Sequence, residues 1–350
     1  MPLTLVTGVP GWLGTRLVRV LVTGLPEVPS LWENHPSRQI RCLVLPGSDI
    51  SEIRTISERI EIFEGDLRNF EAMKSFCQGA EGATLFHCAG VIHPVRRVRE
   101  FFEVNVDGTR NLLRAAAEAG VRRAVVVSSN SPIGTNPHRN HFFTESSPYN
   151  PYMGYGRSKM LMEEVVREYQ AQNKLETVII RPPWFYGPDQ PPRQTLFFKM
   201  IKKGTVPIVG DGENRRSMAY VDNICQGLLL SEQSPVANGQ TYWIADRRPY
   251  TLNEIVATIE HLLETEFGIR VAHRRLHLPH VVGEVAQLCD GLLQRMGFYN
   301  QKIHVLSEMN KNIVCSSLKA QKELGYDPKI DLEEGMRRSI RWCLEKGIII

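Results

Sequence analysis

Over the first half of the chain, short runs rich in Val, Ile and Leu alternate with apolar positions at helical spacing. Six runs stand out, at 3–6, 40–44, 60–64, 84–88, 124–128 and 177–180. After the first run, Leu13, Leu17, Val20 and Leu21 recur on one face of a helix. Near-continuous apolar strands alternating with helices predict a parallel sheet covered on both sides. Right-handed crossovers then give an α/β, doubly wound parallel sheet of the Rossmann type. The stretch 24–38, polar and proline-containing, reads as a surface excursion between the first helix and the second strand.

After Arg181 the pattern changes. Pro182, Pro183, Pro188, Pro191 and Pro192 crowd a short stretch, which predicts irregular backbone because each proline removes a donor. Further on, Thr251 with Glu254 and Asp331 with Glu334 have capping-box spacing, and Gly325 closes a helix starting near Ser316. This half reads as a second, smaller α+β substrate domain closing over the sheet's carboxyl edge. The division is 1–182 plus 213–246 for the Rossmann domain and 183–212 plus 247–350 for the substrate domain. Within the latter, Val281, Val282, Val285, Leu288, Cys289, Leu292 and Leu293 form one helical stripe. The favoured reading packs it on the second domain; a lid over an apolar substrate and a surface anchor at a membrane are the alternatives.

Composition narrows the function. With 350 residues, 42% hydrophobic and 23% charged, the chain has ample material for a core. A net charge of +4 is too balanced to imply nucleic acid. No apolar run approaches the roughly 18 residues of a membrane span, and the amino terminus does not read as a secretory signal. Seven scattered cysteines without a CxxC pair fit reduced thiols and argue against a metal site. A cytoplasmic enzyme acting on a small molecule is expected.

The first strand runs into Gly8, Gly11, Trp12, Leu13 and Gly14, where glycines at that spacing open a helix. They allow a tight turn and a close approach of backbone to a pyrophosphate at the positive end of that helix. Asp66, followed by Leu67, sits after the third strand, where a carboxylate can accept from an adenine amino group. Tyr155 and Lys159, four apart on a helix, project from one face. A phenol with a pKa near 10 needs help to act as an acid/base at neutral pH, and a neighbouring ammonium favours its phenolate. Upstream, a strand ends in the hydroxyls of Ser128, Ser129 and Ser131.

With these residues in place, the chain resembles the extended short-chain dehydrogenase/reductase superfamily. The likeness is to its NAD-dependent epimerase/dehydratase type and the 3β-hydroxysteroid dehydrogenase-like branch. It extends through Asp66-Leu67, His87-Cys88-Ala89-Gly90, Asn105 to Thr109, Arg181-Pro182, Tyr186-Gly187-Pro188, Arg216 ahead of Tyr220-Val221-Asp222-Asn223, and Leu324 to Pro328. The resemblance implies Tyr155 as acid/base, Lys159 as its electrostatic partner and Ser129, ahead of Ser128 and Ser131, as the group orienting the reacting oxygen. It implies Cys88, Ala89 and Gly90 beneath a cofactor, Pro182 to Trp184 against its nicotinamide, and Asn105 bracing the central helix or a relay water.

Two positions depart from the family. Relatives that act on nucleotide sugars often carry Asn where this chain has Trp184, which points the pocket toward an apolar or alicyclic alcohol or ketone. At the end of the second strand, Val44 and Leu45 neither hold a ribose nor repel a 2′-phosphate, so the cofactor is NAD(P) with a slight lean to NADP. Arg216, with Trp184 and Ser129, is a candidate substrate contact. Arg96, Arg97 and Arg99 read as a solvated helix start ahead of an anion clamp, and His87 and His93 as packed histidines ahead of a proton-transfer pair. The expected activity is reversible hydride transfer at a secondary alcohol of 3β-hydroxysteroid-like type, in a homodimer. A nucleotide-sugar epimerase is the alternative. A dehydratase is disfavoured because Asn130 and Ser131 supply no acid, and a non-catalytic NAD(P) sensor because Ser129, Tyr155 and Lys159 occur together.

Overall fold

A computed structural model describes residues 2–31, 38–95 and 97–350, so Arg96 and part of the 24–38 excursion lie outside the described residues. Seven parallel strands form the central sheet: β1 (Leu3–Thr7), β2 (Gln39–Val44), β3 (Glu61–Glu64), β4 (Thr84–His87), β5 (Arg123–Val127), β6 (Glu176–Arg181) and β7 (Thr241–Trp243). Their order is β7-β6-β5-β4-β1-β2-β3. Strand order reverses between β1 and β4, which opens a crevice at their carboxyl ends. There the register pairs Thr7 with His87. The doubly wound sheet expected from the alternating pattern is present. Its seventh strand was not legible in the sequence, because three edge residues are too few to show a period.

Two apolar cores cover the sheet. One packs Leu13, Leu17 and Leu21 on Val125, Ile180 and Ile244; the other packs Phe76, Leu112, Met162 and Val166 on Leu85, Ala124 and Val126. A third core, built from Phe198, Ile201, Ile255, Ile259, Met336 and Ile340, holds the carboxyl-terminal helices together. The caps read from the sequence form: Thr251 accepts from the Glu254 N–H, Asp331 from the Glu334 N–H, and Gly325 takes the left-handed conformation after Leu318–Leu324.

Two expectations need correction. The proline-rich stretch is not wholly irregular, because Trp184–Tyr186 forms a short strand beside Met218–Tyr220. Pro192 then opens the helix Pro192–Lys203, where its missing N–H would have had no helical partner anyway. The second correction concerns the stripe. His280–Arg295 is a helix, yet Val281, Val285, Leu288 and Leu292 face outward, while Gly283, Ala286 and Asp290 are buried. The inner face is fixed by polar bonds. Asp290 meets His304 at 2.7 Å, and Gln294 accepts from the Gly154 N–H at 2.9 Å.

Candidate active site

The crevice begins at the glycine loop. Gly8 has φ +86°, and a Cβ there would stand 2.6 Å from the Cys88 carbonyl carbon. At Gly14 a Cβ would stand 2.3 Å from the Gly8 oxygen. Only glycine lets these backbones approach so closely, and the loop leads straight into the helix Trp12–Thr23. Leu13 is buried in the core beneath it. The Trp12 indole donates to the Pro188 carbonyl at 2.6 Å, and its ring lies 4.8 Å from Phe185. A pyrophosphate fits this side-chain-free cradle at a helix amino terminus.

Neighbouring loops complete the floor. Buried His87 is held between Thr7 at 2.7 Å and Thr109 at 2.9 Å, and burial, with Lys159 nearby, pulls its pKa down to about 3. With both nitrogens engaged, it is a packed histidine, and His93 turns away to the Tyr299 hydroxyl at 2.6 Å. The Ala89 N–H donates to Thr7 at 3.3 Å. Asn105 ties the loop after β4 to the helix Met153–Ala171, bonding both Val91 groups and Ser158. A Cβ on Gly90 would lie 3.2 Å from both Asn105 and the Lys159 Nζ. Asp66 is bridged by Arg68, which holds its carboxyl below the ordinary value, and the Leu67 carbonyl accepts from Asn111 at 3.0 Å.

The helix Met153–Ala171, which carries Tyr155 and Lys159, comes close to the end of β5 because of one residue. A Cβ on Gly156 would stand 2.5 Å from the Ser131 carbonyl oxygen, so only glycine lets Tyr155 approach the serines. Among those, Ser128 is already engaged, donating to Glu163 at 2.6 Å. Ser129 lies beside Tyr155, whose phenolate it favours, and contacts Ser131 at 3.3 Å. Burial pushes the Tyr155 phenol up to about 12, while Ser129 and Arg193 pull it back and Glu308 opposes them.

Lys159 is anchored at the end of β5. Its Nζ donates to the Val127 carbonyl at 3.0 Å, and burial lowers its pKa to about 8. Arg193, in the first turn of Pro192–Lys203, is a cation that favours the phenolate. The i,i+4 spacing fixes a shared helix face, but it does not fix where a long flexible side chain ends.

Arg193 was invisible in the sequence, one arginine in a proline-rich run. So were the rings around Tyr155. Phe101 lies 5.8 Å from it and Tyr299 5.6 Å from Phe101, with the Tyr299 ring 5.5 Å from His304. Trp184 packs edge-on to Phe197 at 5.9 Å, next to the buried prolines Pro182 and Pro183. Arg216 donates to the Glu308 carbonyl and lies close to Tyr152. Tyr152 in turn bonds Ser307 at 2.8 Å. Arg97 pairs with Phe298 in an isolated bridge, and Arg99 with Glu103 at 2.6 Å, as a solvated helix start would.

The description of the NAD dependent epimerase/dehydratase family matches residues 4–245. The chain is 54% identical over 347 residues to an uncharacterized protein of Sinorhizobium fredii, covering 99% of this chain and 96% of that one. It is 28% identical to N-acetyl-alpha-D-glucosaminyl-diphospho-ditrans,octacis-undecaprenol 4-epimerase of Escherichia coli O157:H7, covering 79% and 82%. It is also 28% identical to 3beta-hydroxysteroid-dehydrogenase/decarboxylase isoform 1 of Arabidopsis thaliana, covering 81% and 67%. Among solved structures, dTDP-glucose 4,6-dehydratase of Streptomyces venezuelae with NAD and TYD bound superimposes with TM-score 0.75 at 26% identity, covering 99% and 97%. The chain belongs to the NAD dependent epimerase/dehydratase family, within the extended short-chain dehydrogenase/reductases.

Proposed function

We propose that the protein is an oxidoreductase that transfers hydride reversibly at a secondary alcohol or ketone of a lipophilic cyclic substrate. The observation that carries this reading is Tyr155 beside Ser129, its ring packed on the buried Phe101, with the half-buried Tyr299 ring as the aromatic wall of the crevice. A flat aromatic wall suits a ring system through area burial and offers few donors to a sugar. Gly8, Gly11 and Gly14 would hold a nicotinamide dinucleotide, which when bound accepts or supplies the hydride. Trp12, Cys88, Ala89, Gly90 and Pro182 would line it.

The chain's own residues handle the proton. Ser129 donates to the substrate oxygen and aims it at Tyr155, whose Oη takes the proton on oxidation and returns it on reduction. Lys159, anchored on Val127, keeps its ammonium at the floor of the crevice, where a ribose hydroxyl can accept from it. Arg193 supports the phenolate. Trp184 adds apolar area beside Phe197. Val281, Val285, Leu288 and Leu292 of the 281–293 stripe add none, because they face outward.

The second reading is epimerisation of a sugar carried on a lipid diphosphate, favoured by the guanidinium of Arg216 beside Tyr152. The test incubates the enzyme with NAD or NADP and a panel of hydroxysteroids, alicyclic alcohols, lipid-linked sugars and UDP-sugars. Net cofactor reduction with a cyclic alcohol is the expected result. Isomerisation without net reduction selects the epimerase. Cofactor binding with no turnover on any substrate overturns both.

A further inference from the structure

The outward face of the helix His280–Arg295 is apolar along its whole length. Val281, Val285, Leu288 and Leu292 are 60%, 52%, 69% and 58% exposed. Spacings of four, three and four place them on a single stripe. The patch continues past the helix end through Met296 and Phe298, and Phe298 is bridged to the segment carrying exposed Val95. A contiguous exposed apolar ridge of this extent marks a surface that another phase or partner covers.

The charges around the ridge say which. Arg97, bridged to Phe298, Arg295 at the helix end and Lys302 on the next helix are exposed, and among the described residues none of them has an ion-pair partner. The acids of the same segment point elsewhere. Glu284 pairs with Lys311 at 2.7 Å, and Asp290 is fully buried against His304. Unpaired cations therefore rim the apolar stripe. An isologous contact between two copies would set this rim against itself, which is repulsive.

From this arrangement we propose that the face formed by 281–298 docks the protein on an anionic lipid bilayer, lying in the interface without crossing it. Apolar side chains enter the acyl boundary, and the arginines and lysine meet phosphate headgroups, the recognised mode for an interfacial helix. The opposite face of this helix holds Gln294 against Gly154, next to Tyr155. Docking would thus bring the crevice to the membrane surface, where a lipophilic substrate resides. The inference rests on the surface alone and stands whichever substrate reading is right.

Flotation of the full chain with phosphatidylcholine vesicles, with and without phosphatidylglycerol, tests it in the absence of any substrate. The wild type is expected to float with the anionic vesicles, more weakly as salt is raised. Leu288→Glu with Leu292→Glu should cut partitioning by at least about tenfold, with melting temperature and NAD binding unchanged. Arg295→Glu with Lys302→Glu should reduce it by roughly fivefold per cation removed. Absence of flotation with either vesicle overturns the proposal, as does partitioning that ignores the leucine substitutions. Concentration-dependent self-association in sedimentation velocity, abolished by the same substitutions without vesicle binding, assigns the face to a second copy and likewise overturns it.

Discussion

Glu163 and Arg181 face each other inside the protein, with the guanidinium donating to both carboxylate oxygens at 2.9 and 2.6 Å. Neither side chain is more than 1% exposed. The carboxylate, one turn beyond Lys159 on the helix Met153–Ala171, also accepts from Ser128 at 2.6 Å and Tyr149 at 2.7 Å. Burial alone would raise its pKa, but Arg181 and these hydroxyls hold it below the ordinary value. The pair fixes the helix Met153–Ala171 to the end of β6, and so sets the distance between Tyr155 and the serines.

Glu163→Gln leaves a buried guanidinium uncompensated, and breaking such a pair costs about 3–5 kcal/mol. Chemical denaturation should show that loss. Adding Arg181→Met should recover part of it, because the buried charge is then gone. A single variant as stable as wild type would show that the pair does not anchor the helix.

Tyr155→Phe deletes the transferable proton and keeps the ring packed on Phe101. Turnover should fall by about 10²–10⁴-fold, with NAD affinity and melting temperature nearly unchanged. Ser129→Ala removes the donor that orients the substrate oxygen, and a loss of about 10²–10³ in kcat is expected. Ser128→Ala should instead lower stability, because its hydroxyl serves Glu163. Steady-state kinetics beside thermal melts separate the three. Near-normal turnover of Tyr155→Phe would remove the tyrosine from the chemistry.

Gly8 and Gly47 both adopt positive φ, +86° and +76°, but only Gly8 is crowded, with Cys88 2.6 Å from an added Cβ. Gly47→Ala should therefore carry only the left-handed penalty, roughly 1–2 kcal/mol. Gly8→Ala carries that penalty and also drives the loop away from Cys88 and Ala89. Calorimetry should find NAD binding kept in the first variant and lost in the second. Equal affinity in both would place the phosphates elsewhere.

His87 is neutral in the folded protein down to about pH 3, while the unfolded imidazole protonates near 6.5. Between those values the unfolded chain binds the extra proton. Its contribution is present above pH 6.5 and declines as the pH falls toward 3. His93, pulled down to about 4 chiefly by burial, acts in the same direction. His304 has the opposite sign: burial lowers its pKa, but Asp290 more than offsets this, so its stabilisation is lost as pH rises. Urea titrations from pH 4.5 to 6.5 should show a slope shallower in His87→Gln by up to about 1.4 kcal/mol per pH unit. An unchanged slope would mean that His87 is protonated in the fold.

The sequence alone determined six of the sheet's seven strands, the glycine loop and the place of Tyr155 on its helix, since each depends on local information. Strand and helix periods follow from which faces are buried, and a glycine at positive φ is a property of a few consecutive residues. Tertiary structure decided where side chains separated in sequence end up. It turned Lys159 onto Val127, brought Arg193 from a proline-rich run toward the phenol, and assembled Phe101 and Tyr299 around it from two distant segments. It also decided the direction of the stripe at 281–293. Amphipathic spacing shows that a helix has two faces, and here the polar one is inside because Asp290 and Gln294 find partners there. Those partners, His304 and Gly154, are 14 and 140 residues away along the chain, a separation that a helical period does not register.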